Sequence, residues 1–127
     1  MREKILVIED EPIIGEMMCI LLEMEGYKVI SLGDTGMARR KLESNEVALV
    51  MLDLNLSGEG GQSMCRYIKS NPDLQHIPVI LVSANTDLAK IKDECGADDY
   101  IAKPFELNDF VKKVNQFAAG DRANRIS

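Results

Sequence analysis

The stretch Ala48-Leu-Val-Met-Leu52 constrains the chain most tightly, because every position is apolar or small and no side is left for water. A strand with one solvated face alternates in polarity. A run without alternation fits a strand covered on both sides, the condition of a parallel α/β sheet. The run ends at Asp53. Ligands of open α/β sheets bind beyond the carboxyl ends of the strands, so Asp53 stands where chemistry would be found. Taken alone, an Asp there is more simply a residue that ends a strand or opens a turn.

Other segments repeat the pattern. Lys4-Ile-Leu-Val-Ile-Glu9 predicts a first strand, and Pro12 opens a helix that runs to Glu25, where Gly26 stops it. Ile13, Met17, Ile20, Leu21 and Met24 have the spacing of its apolar stripe, with Ile13 and Met17 expected to pack inward. Tyr27 to Leu32 predicts a second strand, and its interrupted apolar character puts it near a sheet edge. Asp34 or Thr35 caps the next helix, which continues to about Asn45.

After the third strand and a glycine-rich loop, Gln62 to Ser70 predicts a helix with Met64, Cys65 and Ile68 inward. Pro78 to Val82 is a fourth apolar strand, followed by a helix through Cys95 that Thr86 or Asp87 caps. Asp99 to Ala102 is a brief fifth strand. The last helix, from about Glu106 to Ala118, buries Leu107, Phe110, Val111, Val114 and Phe117. Five strand-then-helix units of roughly twenty to thirty residues suit right-handed crossovers. They imply a doubly wound α/β domain with helices on both faces of a parallel sheet.

The 127 residues fit one domain, expected over 1–119, with 120–127 as a polar tail or the start of a linker. A formal charge of -6 argues against direct contact of this domain with nucleic acid or an anionic membrane. Cys19, Cys65 and Cys95 are widely spaced among apolar neighbours and read as buried free thiols of a reducing compartment. Only Ile5 to Ile8 is apolar before Glu9, so no signal peptide or membrane insertion is expected and a cytoplasmic location is the default.

In such a sheet the residues that end the strands share one edge: Glu9 and Asp10 after the first, Asp53 after the third, Ser83 after the fourth and Lys103 after the fifth. Three clustered carboxylates repel one another and raise at least one pKa unless a cation joins them. Mg²⁺ suits a site of carboxylate and carbonyl oxygens that must also receive phosphate. Asp53 is then the nucleophile of an aspartyl phosphate, with Lys103 supplying positive charge and Ser83 a hydroxyl. An ionised carboxylate needs no base. The lone histidine, His76, precedes the fourth strand at the opposite edge and reads as a surface loop residue.

From Lys4 to about Ala119 the chain resembles the receiver (response-regulator) domains of two-component signalling. The resemblance rests on Glu9-Asp10, on Asp53-Leu-Asn-Leu-Ser-Gly-Glu-Gly-Gly61, on Ser83-Ala84, and on Gly96-Ala-Asp-Asp-Tyr-Ile-Ala-Lys-Pro-Phe105. It implies a five-stranded (βα)5 flavodoxin-like fold with strand order 2-1-3-4-5. It implies Mg²⁺ held by Glu9, Asp10, Asp53 and the backbone carbonyl of Asn55, phosphorylation on Asp53, and Lys103 on the phosphoryl group. Ser83 and Tyr100 correspond to the family's switch pair, and Lys103-Pro104 to a bond that is usually cis.

The partners implied are a sensor histidine kinase or a histidine phosphotransfer protein, docking along the first helix and the loop after the fifth strand. A downstream protein or an output domain outside this sequence would read a surface formed by the fourth helix, fifth strand and fifth helix. Such a protein helps catalyse its own phosphorylation and slow autodephosphorylation and is not a metabolic enzyme. Leu56, Ser57, Glu59 and Gly60 stand where Met, Pro, Met and Asp are usual, which predicts a more flexible loop and a negative charge near the phosphoryl entrance. A docking module that works without phosphorylation is the alternative. A flavin-binding relative of the fold is disfavoured by Glu9-Asp10-Glu11, whose charges repel a flavin phosphate. A phosphatase-type hydrolase is disfavoured by Asn55, where a second Asp would stand.

Overall fold

The structure is a computed structural model that describes residues 4–44, 46–56 and 60–118. Five strands, β1 (Lys4–Ile8), β2 (Lys28–Leu32), β3 (Val47–Asp53), β4 (Val79–Ser83) and β5 (Asp99–Ala102), alternate with five helices. These are α1 (Pro12–Met24), α2 (Ala38–Ser44), α3 (Gly61–Ser70), α4 (Leu88–Cys95) and α5 (Leu107–Ala118). All strand pairings are parallel and the sheet order is β2-β1-β3-β4-β5, so the predicted flavodoxin-like (βα)5 fold is the observed one.

Alternation along each strand divides the core. Leu6, Ile8, Val50, Leu52, Val79 and Leu81 face one side, where α2, α3 and α4 bring Leu42, Met64, Cys65, Ile68 and Leu88. Ile5, Val7, Leu49, Met51, Ile80 and Val82 face the other, against Met18 and Leu22 of α1 and Phe110 and Val114 of α5. Both faces of the central strands are therefore dry, which is why these segments carry no polar alternation. β2 is an edge strand with no fully buried residue, in keeping with its interrupted pattern.

The helix faces depart from expectation in two places. In α1 the buried residues are Gly15, Met18 and Leu22, while Ile13 is 83% and Met24 77% exposed, with Met17 and Ile20 also outward. Apolar residues lie on both sides of this helix, so their spacing alone allows two stripes. Gly15 lies beside the Glu9 side chain on the side turned to the sheet. In α5, Leu107 is exposed and the buried face is Phe110, Val114 and Ala118.

Capping differs as well. Asp87 makes no side-chain cap on α4; the Asn85 side chain instead accepts the Asp87 N–H at 2.8 Å. Asp34 accepts the Gly36 N–H at 2.8 Å, forming a turn ahead of α2. The loop departures Ser57 and Glu59, the helix end at Asn45 and the polar tail 120–127 lie outside the described residues.

Candidate functional site

Each candidate is delivered by the end of a strand. Pairing of β1 with β3 sets Ile8 beside Leu52, so Glu9 and Asp53 follow as neighbours at the sheet edge. Pairing of β3 with β4 and of β4 with β5 sets Asp53 beside Val82 and Ser83 beside Ala102, and the Lys103 N–H donates to the Ser83 carbonyl at 2.8 Å. Four residues separated by most of the chain are thus gathered by register alone. The second strand contributes none of them.

Glu9, Asp10 and Asp53 each place a carboxylate oxygen within 4.8 Å of the others. Glu9 and Asp53 are 3% exposed, and Asp10 is half-buried. The Lys103 ammonium donates to Glu9 Oε1 at 2.8 Å and lies 3.9 Å from Asp53 Oδ2. Burial and the Asp53 carboxyl push the Glu9 carboxyl from 4.5 up to about 7, against the pull of Lys103. One ammonium does not offset three carboxylates, and the hard oxygen donors left over match a small divalent cation such as Mg²⁺.

Short turns fix the functional oxygens. Asp53 Oδ1 accepts the Asn55 N–H at 3.1 Å, so Oδ2 is the oxygen turned toward Lys103. Ser83 is wholly buried, and its Oγ accepts the Asn85 N–H at 3.1 Å. The Lys103–Pro104 peptide is cis, as in the family the sequence resembles. Tyr100 stands apart from the acidic cluster, half-buried beside α5, where Lys113 donates to its carbonyl at 2.6 Å and lies 5.1 Å from the ring centroid. His76 is exposed before β4, away from the cluster.

In the sequence Gly61 is marked only as one glycine of a loop. A Cβ there would sit 2.8 Å from the Leu54 Cα and collide with the Asp53 carbonyl, so only glycine lets α3 begin against the strand end that carries Asp53. The turns at Asn55 and Asn85 are faintly marked as well. Their signal is the Asp-x-Asn and Ser-x-Asn spacing, in which a short polar side chain accepts from the backbone two residues on.

Comparison with known proteins bears on this geometry. The family model described as response regulator receiver domain matches residues 5–115. The DNA-binding response regulator MtrA of Mycolicibacterium smegmatis is 35% identical over 116 residues, which cover 90% of this chain and 50% of MtrA. The chain therefore spans about half the length of the curated relatives it matches. The receiver domain of a signal transduction histidine kinase from Syntrophus aciditrophicus superposes with a TM-score of 0.85 at 32% identity, covering 93% of this chain and 91% of that one. The receiver domain of the sensor histidine kinase PA1611 from Pseudomonas aeruginosa, solved with a magnesium ion in its active-site cleft, gives 0.84 at 25% identity, covering 94% and 99%.

Proposed function

We propose, because this chain belongs to the response regulator receiver domain family, that it accepts a phosphoryl group on Asp53 from a phosphohistidine. The donor would be a sensor histidine kinase or a histidine phosphotransfer protein. The observation that carries this reading is the meeting of three carboxylates and one ammonium at a single sheet edge, with Asp53 nearly enclosed. Residues 1–119 are the receiver unit in this reading, and cytoplasm is its compartment. No described helix is long and apolar enough to cross a membrane.

The acidic cluster fits Mg²⁺ by its chemistry: oxygen donors, two of them on buried side chains, and a Glu9 carboxyl held above its ordinary range by burial and by the Asp53 carboxyl. Glu9, Asp10, Asp53 and the Asn55 carbonyl would hold it. When bound, the ion neutralises the carboxylates and attracts the oxygens of the incoming phosphoryl group.

Asp53 supplies the nucleophile. Its Oδ2 attacks phosphorus, the P–N bond to the donor imidazole breaks, and the imidazole leaves with the electron pair. The N–H of Asn55 on Oδ1 holds the carboxylate in one orientation during the approach. Lys103 exchanges part of its pairing with Glu9 for the new phosphoryl oxygens, and the Ser83 hydroxyl donates to another. Hydrolysis then follows by attack of water on phosphorus, which releases phosphate and restores the carboxylate. The added charge of about -2 biases α4, β5 and Tyr100 toward a second arrangement, and a downstream protein or an output domain reads that surface. The outward Ile13, Met17 and Ile20 of α1 supply the apolar contact for the phosphohistidine donor, together with the loop after β5.

Incubation with phosphoramidate and Mg²⁺, followed by intact mass, tests the reading. A gain of one phosphoryl group that disappears with EDTA is expected. No gain at any Mg²⁺ concentration would leave a docking module that works without phosphorylation.

A further inference from the structure

Cys65, within α3, and Cys95, the last residue of α4, meet where the two helices pack on the same side of the sheet. The Cys65 thiol donates to the Cys95 carbonyl oxygen at 3.4 Å, and the Cys95 thiol donates to the Lys92 carbonyl at 3.8 Å. Neither residue belongs to the acidic site. We propose that Cys65 and Cys95 are a redox-sensitive dithiol, which a peroxide converts to an intramolecular disulfide joining α3 to α4.

The two sulfurs differ in character. The adjacent Cys65 side chain, together with the Ala97 N–H, holds the Cys95 thiol below the usual thiol range despite its burial. The Cys65 thiol is pushed up by the same pairing and by burial. Cys95 is thus the nucleophile and Cys65 the resolving thiol. Cys65 is wholly enclosed and Cys95 is 3% exposed, so the oxidant must be small and uncharged, as hydrogen peroxide is.

The Cys95 thiolate attacks one peroxide oxygen and the O–O bond breaks. Cys95 becomes a sulfenic acid, and the hydroxide that leaves takes up a proton to form water. The Cys65 sulfur then attacks the Cys95 sulfur, the S–O bond breaks, and the departing hydroxyl takes the Cys65 proton as a second water. Two thiols lose two electrons and one peroxide is reduced to two waters. Cys19 lies on α1, against the opposite side of the sheet, and has no part in the bridge.

The product ties the C-terminal end of α4 to α3, the helix that abuts Asp53 through Gly61. A bridged α4 is restrained against any rearrangement relative to the rest of the sheet.

The test is hydrogen peroxide treatment of the full chain, then denaturation, alkylation with iodoacetamide, intact mass and a tryptic map. The reduced protein should take three alkyl groups. The oxidised protein should lose two hydrogens and take one, on Cys19, with Cys65 and Cys95 in one cross-linked peptide. Cys19→Ser should retain the two-hydrogen loss, whereas Cys95→Ser should abolish it. Three alkylations after treatment, a bridge that includes Cys19, or a bridge only between two chains would overturn the proposal. The map of the unsubstituted protein decides the matter even if a cysteine variant fails to fold.

Discussion

The Lys103 ammonium pairs with Glu9 at 2.8 Å, while it stands 3.9 Å from the Asp53 oxygen it faces. The ammonium therefore rests on a carboxylate other than the proposed phosphoacceptor, and it shares the acidic cluster with any cation that enters. Lys103→Met removes a competitor for Mg²⁺ and a donor for the phosphoryl group at once. Calorimetric titration should show tighter Mg²⁺ binding, while phosphorylation by phosphoramidate slows by about 10²-fold, the loss usual for one oxyanion donor. Weaker Mg²⁺ binding would contradict this arrangement.

The Glu9 carboxyl gives the apo protein a characteristic pH dependence. Its folded pKa of about 7 exceeds the unfolded 4.5, so between these values the folded state holds the extra proton. The contribution of Glu9 to stability is complete below about 4.5 and is lost as pH rises to about 7, with no further change above. Urea unfolding in EDTA should show this decline, and Glu9→Gln should remove it. Saturating Mg²⁺ favours the ionised carboxylate and should reduce the decline.

Gly61→Ala puts a methyl group into the backbone of Asp53 and Leu54. The strand end or the start of α3 must shift, at a cost of about 1–3 kcal/mol in urea unfolding. Phosphorylation should slow more than stability loss explains, because the displaced strand end carries Asp53. A neutral substitution would show that α3 does not abut the site.

The face of α1 separates binding from folding. Ile13→Lys and Ile20→Lys alter exposed positions and should change stability by no more than about 0.5 kcal/mol. Leu22→Ala, wholly buried, should cost about 2–5 kcal/mol. The two lysine variants should accept phosphoryl from phosphoramidate at the unsubstituted rate and lose transfer from a phosphorylated kinase. Loss of both activities would place the effect in the site rather than at the docking surface.

Strand ends were the legible part of this chain. Glu9, Asp53 and Ser83 end runs whose apolar character records burial on both sheet faces, Lys103 follows the short edge strand β5, and register then brings them together without further information. The inward face of α1 was not legible, because Ile14, Met18 and Leu22 compete with Ile13, Met17 and Ile20 at the same spacing. Nor was the meeting of Cys65 with Cys95. Thirty residues separate them, and their contact depends on how α3 and α4 lie on the sheet rather than on any local pattern. Gly61 likewise looked like one of several loop glycines, and only the backbone of Asp53 beside it shows the need.

The central claim is that Asp53 alone carries the phosphoryl group. Borohydride reduction of the phosphorylated protein converts an aspartyl phosphate to homoserine, which peptide mass mapping locates by residue. The account predicts homoserine at position 53 only, formed in the presence of Mg²⁺, and none in Asp53→Asn. Reduction product at Asp10 or any other residue of the unsubstituted protein, or an undiminished phosphoryl gain in Asp53→Asn, would contradict it.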